Sequence, residues 1–197
     1  MTFTTIPFKN YKRSEWSGGT TTQLYIDPPE ADYQKRNFNF RISTAKVKDE
    51  KSVFTSLPGV SRKIMVLEGE IIIHHEDHYT KKLSRLDVDA FEGDWVTSAV
   101  GTCTDFNLMT TENTRGGLSA VVIDADIKIK YPLQNNLQKV FLYVSSGKVR
   151  VELENQTHTL NKGCLLVIEK PINIIIPVYG IEKSELVISK IYMPENA

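Results

Sequence analysis

Alternation with a period of two dominates this chain. Lys148-Val149-Arg150-Val151-Glu152-Leu153-Glu154 switches strictly between polar and apolar residues, and Phe38, Phe40 and Ile42 alternate with Asn39, Arg41 and Ser43. Successive side chains of a strand point to opposite faces, so this period predicts half-buried strands. Further β-rich runs cover residues 20–26, 64–74, 118–123, 139–144, 165–168 and 186–193. Turn residues punctuate them: Pro28-Pro29, Pro58-Gly59, Glu68-Gly69, Glu92-Gly93, Gly116-Gly117, Ser146-Gly147 and Lys162-Gly163. No segment longer than about ten residues keeps a 3.6-residue period. Many short strands at this spacing predict an all-β sandwich or barrel.

One strand carries an unusual face. In Cys103-Thr104-Asp105-Phe106-Asn107-Leu108-Met109, Phe106 and Leu108 point one way, while Asp105 and Asn107 point the other, flanked by Cys103 and Met109. An acid and an amide between two soft apolar residues fit the polar lining of an interior. An edge strand with one wet face produces the same pattern, and both readings stand at this point.

A weak repeat adds domain organisation. Lys63-Ile64-Met65-Val66-Leu67-Glu68-Gly69-Glu70-Ile71 is echoed by Lys139-Val140-Phe141-Leu142-Tyr143-Val144 and then Gly147-Lys148-Val149. Each copy reads strand, glycine turn, strand. Each continues through a polar hairpin to an apolar residue, Leu83 or Leu160, and then to a second glycine step at Gly93 or Gly163. Two β modules of one plan are expected, over residues 1–124 and 125–197.

Composition removes several functions. Lys plus Arg and Asp plus Glu both number 24, so no basic surplus exists for nucleic acid or an anionic membrane. The two cysteines, Cys103 and Cys164, carry no disulfide framework and read as free thiols in a reducing compartment. No charged-then-apolar leader opens the sequence, and the most apolar run, residues 172–178, is interrupted by Asn173 and Pro177 and is too short to span a bilayer. The expectation is a cytoplasmic protein without a membrane partner.

Five short motifs occur in order: Trp16-Ser17-Gly18-Gly19-Thr20-Thr21-Thr22-Gln23; Phe40-Arg41-Ile42-Ser43-Thr44-Ala45; Phe54 with Leu57-Pro58-Gly59 and Arg62; Phe91 with Gly93-Asp94; and Asp105-Phe106-Asn107-Leu108-Met109. Together they resemble the HutD/Ves family of bacterial proteins over nearly the whole chain. The resemblance implies a bicupin, two cupin-type, jelly-roll-like β-barrels in one chain. For the HutD branch it also implies a link to histidine utilisation. The Ves branch is named for stress induction. Ser17 stands after Trp16 where HutD-type sequences tend to have Lys-Asn, a departure that leans toward the Ves side.

Metal cupins carry two histidines, a glutamate and a later histidine at set distances from glycine turns. Counting back seven residues from Gly69 puts Arg62 at the glutamate position, with the two histidine positions near Ser56 and Pro58 and the last near Thr104. A divalent site needs neutral imidazoles and carboxylates, and a guanidinium repels the ion. No metal and no other cofactor is therefore expected. His74, His75 and His78 crowd one hairpin, read as a solvated tip, and His158 stands alone in an alternating strand. In the second module the same count from Gly147 reaches Val140, and the later position falls near Ile174, so that barrel is expected to be filled and structural, or to form an interface.

Arginine in place of a ligand glutamate changes what the first cavity attracts. A guanidinium grips a carboxylate with two parallel hydrogen bonds. Arg41 and Ser43 share a strand face opposite Phe38, Phe40 and Ile42, and should point inward. A buried Arg41 must be paired, and of Asp105 and Glu68 the former fits the strand pattern better. An Arg41–Asp105 ion pair that merely organises the barrel, and an exposed Arg62 at a strand start, are the plain alternatives. Gly18-Gly19 lets backbone approach closely and places Trp16 toward the cavity mouth. The candidate ligand-binding set is thus Arg62, Arg41, Asn107, Asp105, Trp16, Gln23, Ser43 and Thr20. The leading expectation is a metal-free binding protein for a small anionic carboxylate metabolite. For the HutD branch, formylglutamate or formiminoglutamate is the kind of ligand implied. No nucleophile with a visible base stands out, which favours binding over catalysis. A metal-free isomerase or amide hydrolase using Asp105 as acid or base is the rival, and a β-rich interaction protein without a small-molecule site the third reading. A homodimer is compatible with all three.

Overall fold

The computed structural model describes residues 1–111, 113–154 and 156–192. Nineteen strands account for nearly all regular structure there. In chain order they begin with β1 (Thr2–Ile6), β2 (Lys12–Trp16), β3 (Gly19–Asp27), β4 (Phe40–Val47), β5 (Lys51–Val53), β6 (Val60–Gly69) and β7 (Ile71–His75). Next come β8 (Tyr79–Leu83), β9 (Val88–Glu92), β10 (Thr97–Val100), β11 (Cys103–Thr111), β12 (Gly116–Ile123) and β13 (Lys128–Pro132). The last are β14 (Leu137–Ser146), β15 (Lys148–Leu153), β16 (Gln156–Asn161), β17 (Leu165–Glu169), β18 (Ile175–Gly180) and β19 (Ser184–Tyr192). The sequence runs fall on these strands. Met193, the end of the last run, lies outside the described residues. Among the described residues, no helix is long and apolar enough to cross a membrane.

Two compact units form. The central unit is Tyr11–Arg115; the split unit joins Met1–Asn10 to the residues from Gly116 onward. This division differs from a cut at 124/125 at both ends of the first module. β1 hydrogen-bonds along β17, from Thr2 opposite Glu169 to Ile6 opposite Leu165, and β12 hydrogen-bonds along β19. Backbone pairing thus draws the first ten residues and residues 116–124 into the second unit.

Each unit consists of two antiparallel sheets. The central unit has a six-stranded sheet in the order β2-β3-β4-β11-β6-β9 and a four-stranded sheet in the order β5-β10-β7-β8. Its core draws on both sheets: Ile64 and Val66 of β6, Ile71 and Ile73 of β7, Leu83, Phe91, Ala99 and Cys103. The split unit has a five-stranded sheet, β1-β17-β14-β19-β12, and a four-stranded sheet, β13-β18-β15-β16. Its core is continuous and apolar, with Val140, Leu142, Val144, Val149, Val151, Leu186 and Ile188 all almost fully buried. Val140 is inside and Ile174 packs against this core, so the barrel is filled at both positions where the sequence count placed ligand counterparts.

The turn between β6 and β7 depends on Gly69. Its φ is +81°, and a Cβ there would lie 2.4 Å from the Thr102 carbonyl oxygen. Only glycine meets both conditions without strain. Beside this turn the β11–β6 pairing shifts: Thr104 pairs with Glu68 but Asp105 with Val66, skipping Leu67. The bulge adds one residue, Leu67, to β6 and leaves the pairing of β11 with β4 unbroken.

Candidate functional site

Strands β4, β11 and β6 run side by side and present their inward faces in register. Arg41, Met109 and Arg62 form one row across the three strands. Ser43, Asn107 and Ile64 form the next, and Ala45, Asp105 and Val66 the third. The opposite faces carry Phe40, Ile42, Phe106 and Leu108, each at most 1% exposed. These apolar residues fix the strands' orientation and so turn the polar set inward. The inward face lines a cavity of about 450 Å³, closed on other sides by Trp16, Tyr33, Phe54, Ile71 and Ala99 among others. This lies within the usual range of small-molecule sites.

Both guanidiniums are buried and held by neutral groups. Arg41 donates from Nε to Gln23 Oε1 at 2.9 Å and from Nη1 to Ser43 Oγ at 3.1 Å, and lies 4.4 Å over the Tyr33 ring. Arg62 donates from Nη1 to the Thr55 carbonyl at 3.2 Å and sits 5.0 Å from the Phe54 ring and 5.1 Å from the Phe91 ring. Its Nε is buried without a hydrogen-bond partner. Burial pulls both arginine pKa values down, with the Tyr33 phenol acting the other way. Among the described residues, neither arginine forms an ion pair with a carboxylate.

Asp105 is 5% exposed. Burial raises its pKa to about 7, opposed by hydrogen bonds from the Asn107 amide, the Ala45 backbone N–H and the Cys103 thiol and by the charge of Arg62. Asn107 Nδ2 donates to Asp105 Oδ1, and Cys103 Sγ lies 3.8 Å from Oδ2. Burial first, then the Asp105 charge and hydrogen bond, push the Cys103 thiol up to about 12, so it stays protonated and unreactive.

The structure brings Arg62, Arg41, Asn107, Asp105, Trp16 and Ser43 to one cavity. Gln23 acts from behind, anchoring Arg41. Thr20 is a correction: it pairs with Lys46, on the face opposite Ala45, so alternation turns it away and puts Thr21 on the cavity wall instead. The Arg41–Asp105 ion pair is a second correction. Asp105 stands two rows from Arg41 and acts electrostatically on Arg62, not on Arg41. Thr104 does not reach the wall, because β11 alternates without a break and turns Cys103, Asp105, Asn107 and Met109 inward together. Trp16 remains 42% exposed, and its indole covers Gly18, where a Cβ would meet Cζ3 at 2.2 Å. Sequence reasoning missed Tyr33, Thr55 and the role of Phe54. Tyr33 and Thr55 lie in irregular segments whose placement no periodicity encodes.

The family model for HutD matches residues 8–184, nine-tenths of the chain. The chain belongs to the HutD family. No curated protein sequence matches it. This HutD-family chain is 20% identical to a conserved protein of unknown function from Pseudomonas aeruginosa PAO1, covering 98% of this chain and 100% of that one, with a TM-score of 0.82. HutD from Pseudomonas fluorescens SBW25 is 22% identical, with 96% and 99% covered and a TM-score of 0.73. An oxalate decarboxylase of Bacillus subtilis is 9% identical, with 98% and 77% covered and a TM-score of 0.69. At these identities the likeness shows the fold, a bicupin.

The oxalate decarboxylase of Bacillus subtilis has Mn(II) centres. The donors here do not fit one. Two guanidiniums share the cavity with a single buried carboxyl and a protonated thiol. Among the described residues, no group of three His, Cys, Asp or Glu side chains converges as a metal site would require.

The histidine hairpin corrects another expectation. His75 is not at a solvated tip but is 0% exposed, because Ile71, Ile73 and His75 share the inward face of β7. Nε2 contacts Asp89 Oδ2 at 2.9 Å and Nδ1 contacts Thr97 Oγ1 at 2.8 Å. Asp89 also accepts from Tyr79 and Lys81, each at 3.1 Å, and these bonds hold its carboxyl below the ordinary carboxylate range despite burial. The imidazole is packed against Phe91, 4.6 Å between ring centroids, the same ring that lies under Arg62. Thr97 is itself 1% exposed, so this is an enclosed brace and not a nucleophile open to substrate.

Proposed function

We propose that the central unit binds a small carboxylate metabolite without a metal, as an auxiliary or regulatory protein of the cytoplasm linked to histidine utilisation or to a stress response. The observation that carries this reading is the row Arg41–Met109–Arg62: two buried guanidiniums, each oriented by neutral partners, neither neutralised by a carboxylate of a described residue. A buried charge without a counter-ion is costly, and a site that maintains two of them is suited to receive anions. Asn107 and Ser43 in the adjoining row offer amide and hydroxyl groups for an uncharged part of the ligand, and Trp16 covers part of the mouth. Formylglutamate and formiminoglutamate combine these chemistries and belong in the first panel. Calorimetry with small mono- and dicarboxylates tests the reading: saturable binding that Arg62→Ala strongly weakens supports it, and no binding by the folded protein overturns it.

Asp105 favours a second reading. A carboxyl in a ligand cavity that titrates near 7 is suited to general acid–base work, with Arg62 near enough to stabilise an oxyanion. Turnover of a bound amide or isomerisable acid that disappears in Asp105→Asn, while the ligand still saturates the site, would establish it.

A further inference from the structure

We propose that the cavity takes a dianion rather than a monoanion, and takes up a proton with it, carried by Asp105. The inference rests on the carboxylate-binding reading and adds to it the charge of the ligand and the stoichiometry of protons.

The two arginines are separate anchors. They flank Met109 on neighbouring strands, so their backbones stand about 10 Å apart. Arg41 is fixed by Gln23, Ser43 and Tyr33, whereas Arg62 is fixed by Thr55 and the Phe54 and Phe91 rings. One carboxylate seated on either would leave the other buried and unpaired. Two carboxylates on one short carbon chain meet both.

The remaining charge is Asp105. It faces Cys103 and Asn107 on its own strand, the Ala45 N–H from β4, and Arg62 from β6, while Arg41 of β4 lines the same cavity two rows away. Tyr33 lies against the arginines, Glu15 of β2 is an exposed rim residue, and β7 and β10 present only Ile71 and Ala99. With Asp105 ionised, these two arginines and one acid sum to +1. With it protonated they sum to +2, which a dianion neutralises. The Arg62 charge is one of the forces holding Asp105 toward its ionised form. A ligand carboxylate on Arg62 cancels that force and adds repulsion, so the bound state favours the acid. Its Oδ1 already accepts from Asn107, and a protonated Asp105 gains an O–H that can donate to a ligand oxygen.

The free carboxyl titrates at about 7, so linkage fixes the size of the effect. At pH 7 binding should take up about half a proton. Above that pH the dissociation constant should rise by up to about tenfold per unit, and below about pH 6 it should level off.

The test is titration calorimetry of the whole chain at pH 7 with succinate, glutarate and butyrate, in HEPES and in Tris, neither of which is a small dianion. These buffers differ in ionisation enthalpy, so the difference in observed heat counts protons. The expected result is proton uptake with the dicarboxylates, binding at least tenfold tighter than butyrate, and loss of both the proton uptake and the pH slope in Asp105→Asn. Equal heats in the two buffers, or butyrate binding as tightly as glutarate, would overturn the proposal while leaving carboxylate binding intact. Failure of every carboxylate to bind overturns the underlying reading and this one together. Should Asp105→Asn not fold, the two-buffer comparison on the unaltered protein still decides.

Discussion

Counting outward from the two turn glycines sets the units side by side. Upstream of Gly69 the inward positions of β6 are Arg62, Ile64 and Val66; upstream of Gly147 those of β14 are Val140, Leu142 and Val144. Downstream, β7 offers Ile71, Ile73 and His75, and β15 offers Val149, Val151 and Leu153. The plan is shared, and two exchanges of polar for apolar distinguish these strands: an arginine for a valine and a histidine for a leucine. Where every inward residue is apolar the barrel closes on itself. Where Arg62 intervenes, its charge cannot be packed away, and a cavity remains. The difference teaches that the same strand scaffold becomes either a plug or a receptor at the level of a few side chains.

The comparison can be broken most forcefully at Arg62. Arg62→Ala should weaken carboxylate binding on the order of 100-fold, about 3 kcal/mol, as expected for losing one partner of a buried charge pair; calorimetry reads it. Arg62→Leu, which imitates Val140, should weaken binding at least as much, yet raise unfolding free energy by about 1–3 kcal/mol because an unpaired buried charge is removed. Urea unfolding checks this, and a destabilised Arg62→Leu would contradict the receptor-for-plug trade.

His75 comes next. His75→Leu imitates Leu153 but strips a partner from buried Asp89, and should cost about 2–3 kcal/mol in urea unfolding. Leu153→His should cost at least as much, since the ring would enter an apolar core.

The pH dependence of stability is a smaller and more specific discriminator. Asp105 has a folded pKa of about 7 against an ordinary 3.8. The folded protein then holds more protons than the unfolded chain between these values, so stability should fall as pH rises from about 4 to about 7. Its slope approaches about 1.4 kcal/mol per pH unit at most. Asp105→Asn should remove that slope in the central unit, as followed by denaturation at several pH values. Asp89 works in the opposite sense: its lowered pKa supplies stability above its ordinary range that is lost as pH falls. The smallest effect is expected from Gln23→Ala, which frees Arg41 Nε and should weaken binding severalfold, about 1 kcal/mol. Thr20→Ala, on the opposite face of the strand, should change binding not at all.

The fold was legible because a period of two is recorded directly in residue types. Phe38, Phe40 and Ile42 against Arg41 and Ser43 set both the strand and its inward face, and Asp105 with Asn107 did the same for β11. The glycine turns supplied the repeat and, by counting, placed Arg62 in the wall. Where legibility ended, the cause was contact between distant segments. Nothing in residues 33 or 55 alone says that they grip an arginine. His75 was hidden because three histidines in five residues suggest a wet tip, although Ile71, Ile73 and His75 keep the alternation that buries the ring. Arg41 was given the wrong partner because burial demands a counter-ion in general, whereas here Gln23, Ser43 and Tyr33 orient a cation that retains its charge for something else.

The pairing of β1 with β17 has a consequence for synthesis. Tyr11–Arg115 is one uninterrupted stretch, so synthesis of the central unit is complete before the residues of the split unit from Gly116 onward are translated. The five residues of β1 precede the central unit in the chain, yet their hydrogen-bonding partner ends at Glu169. At ordinary translation speeds the receptor half has a head start of roughly 3–10 s over completion of that partner. During this interval the leading strand must remain unpaired. Sequence-distant pairing of this kind is expected to make closure of the filled barrel slower than that of the central unit.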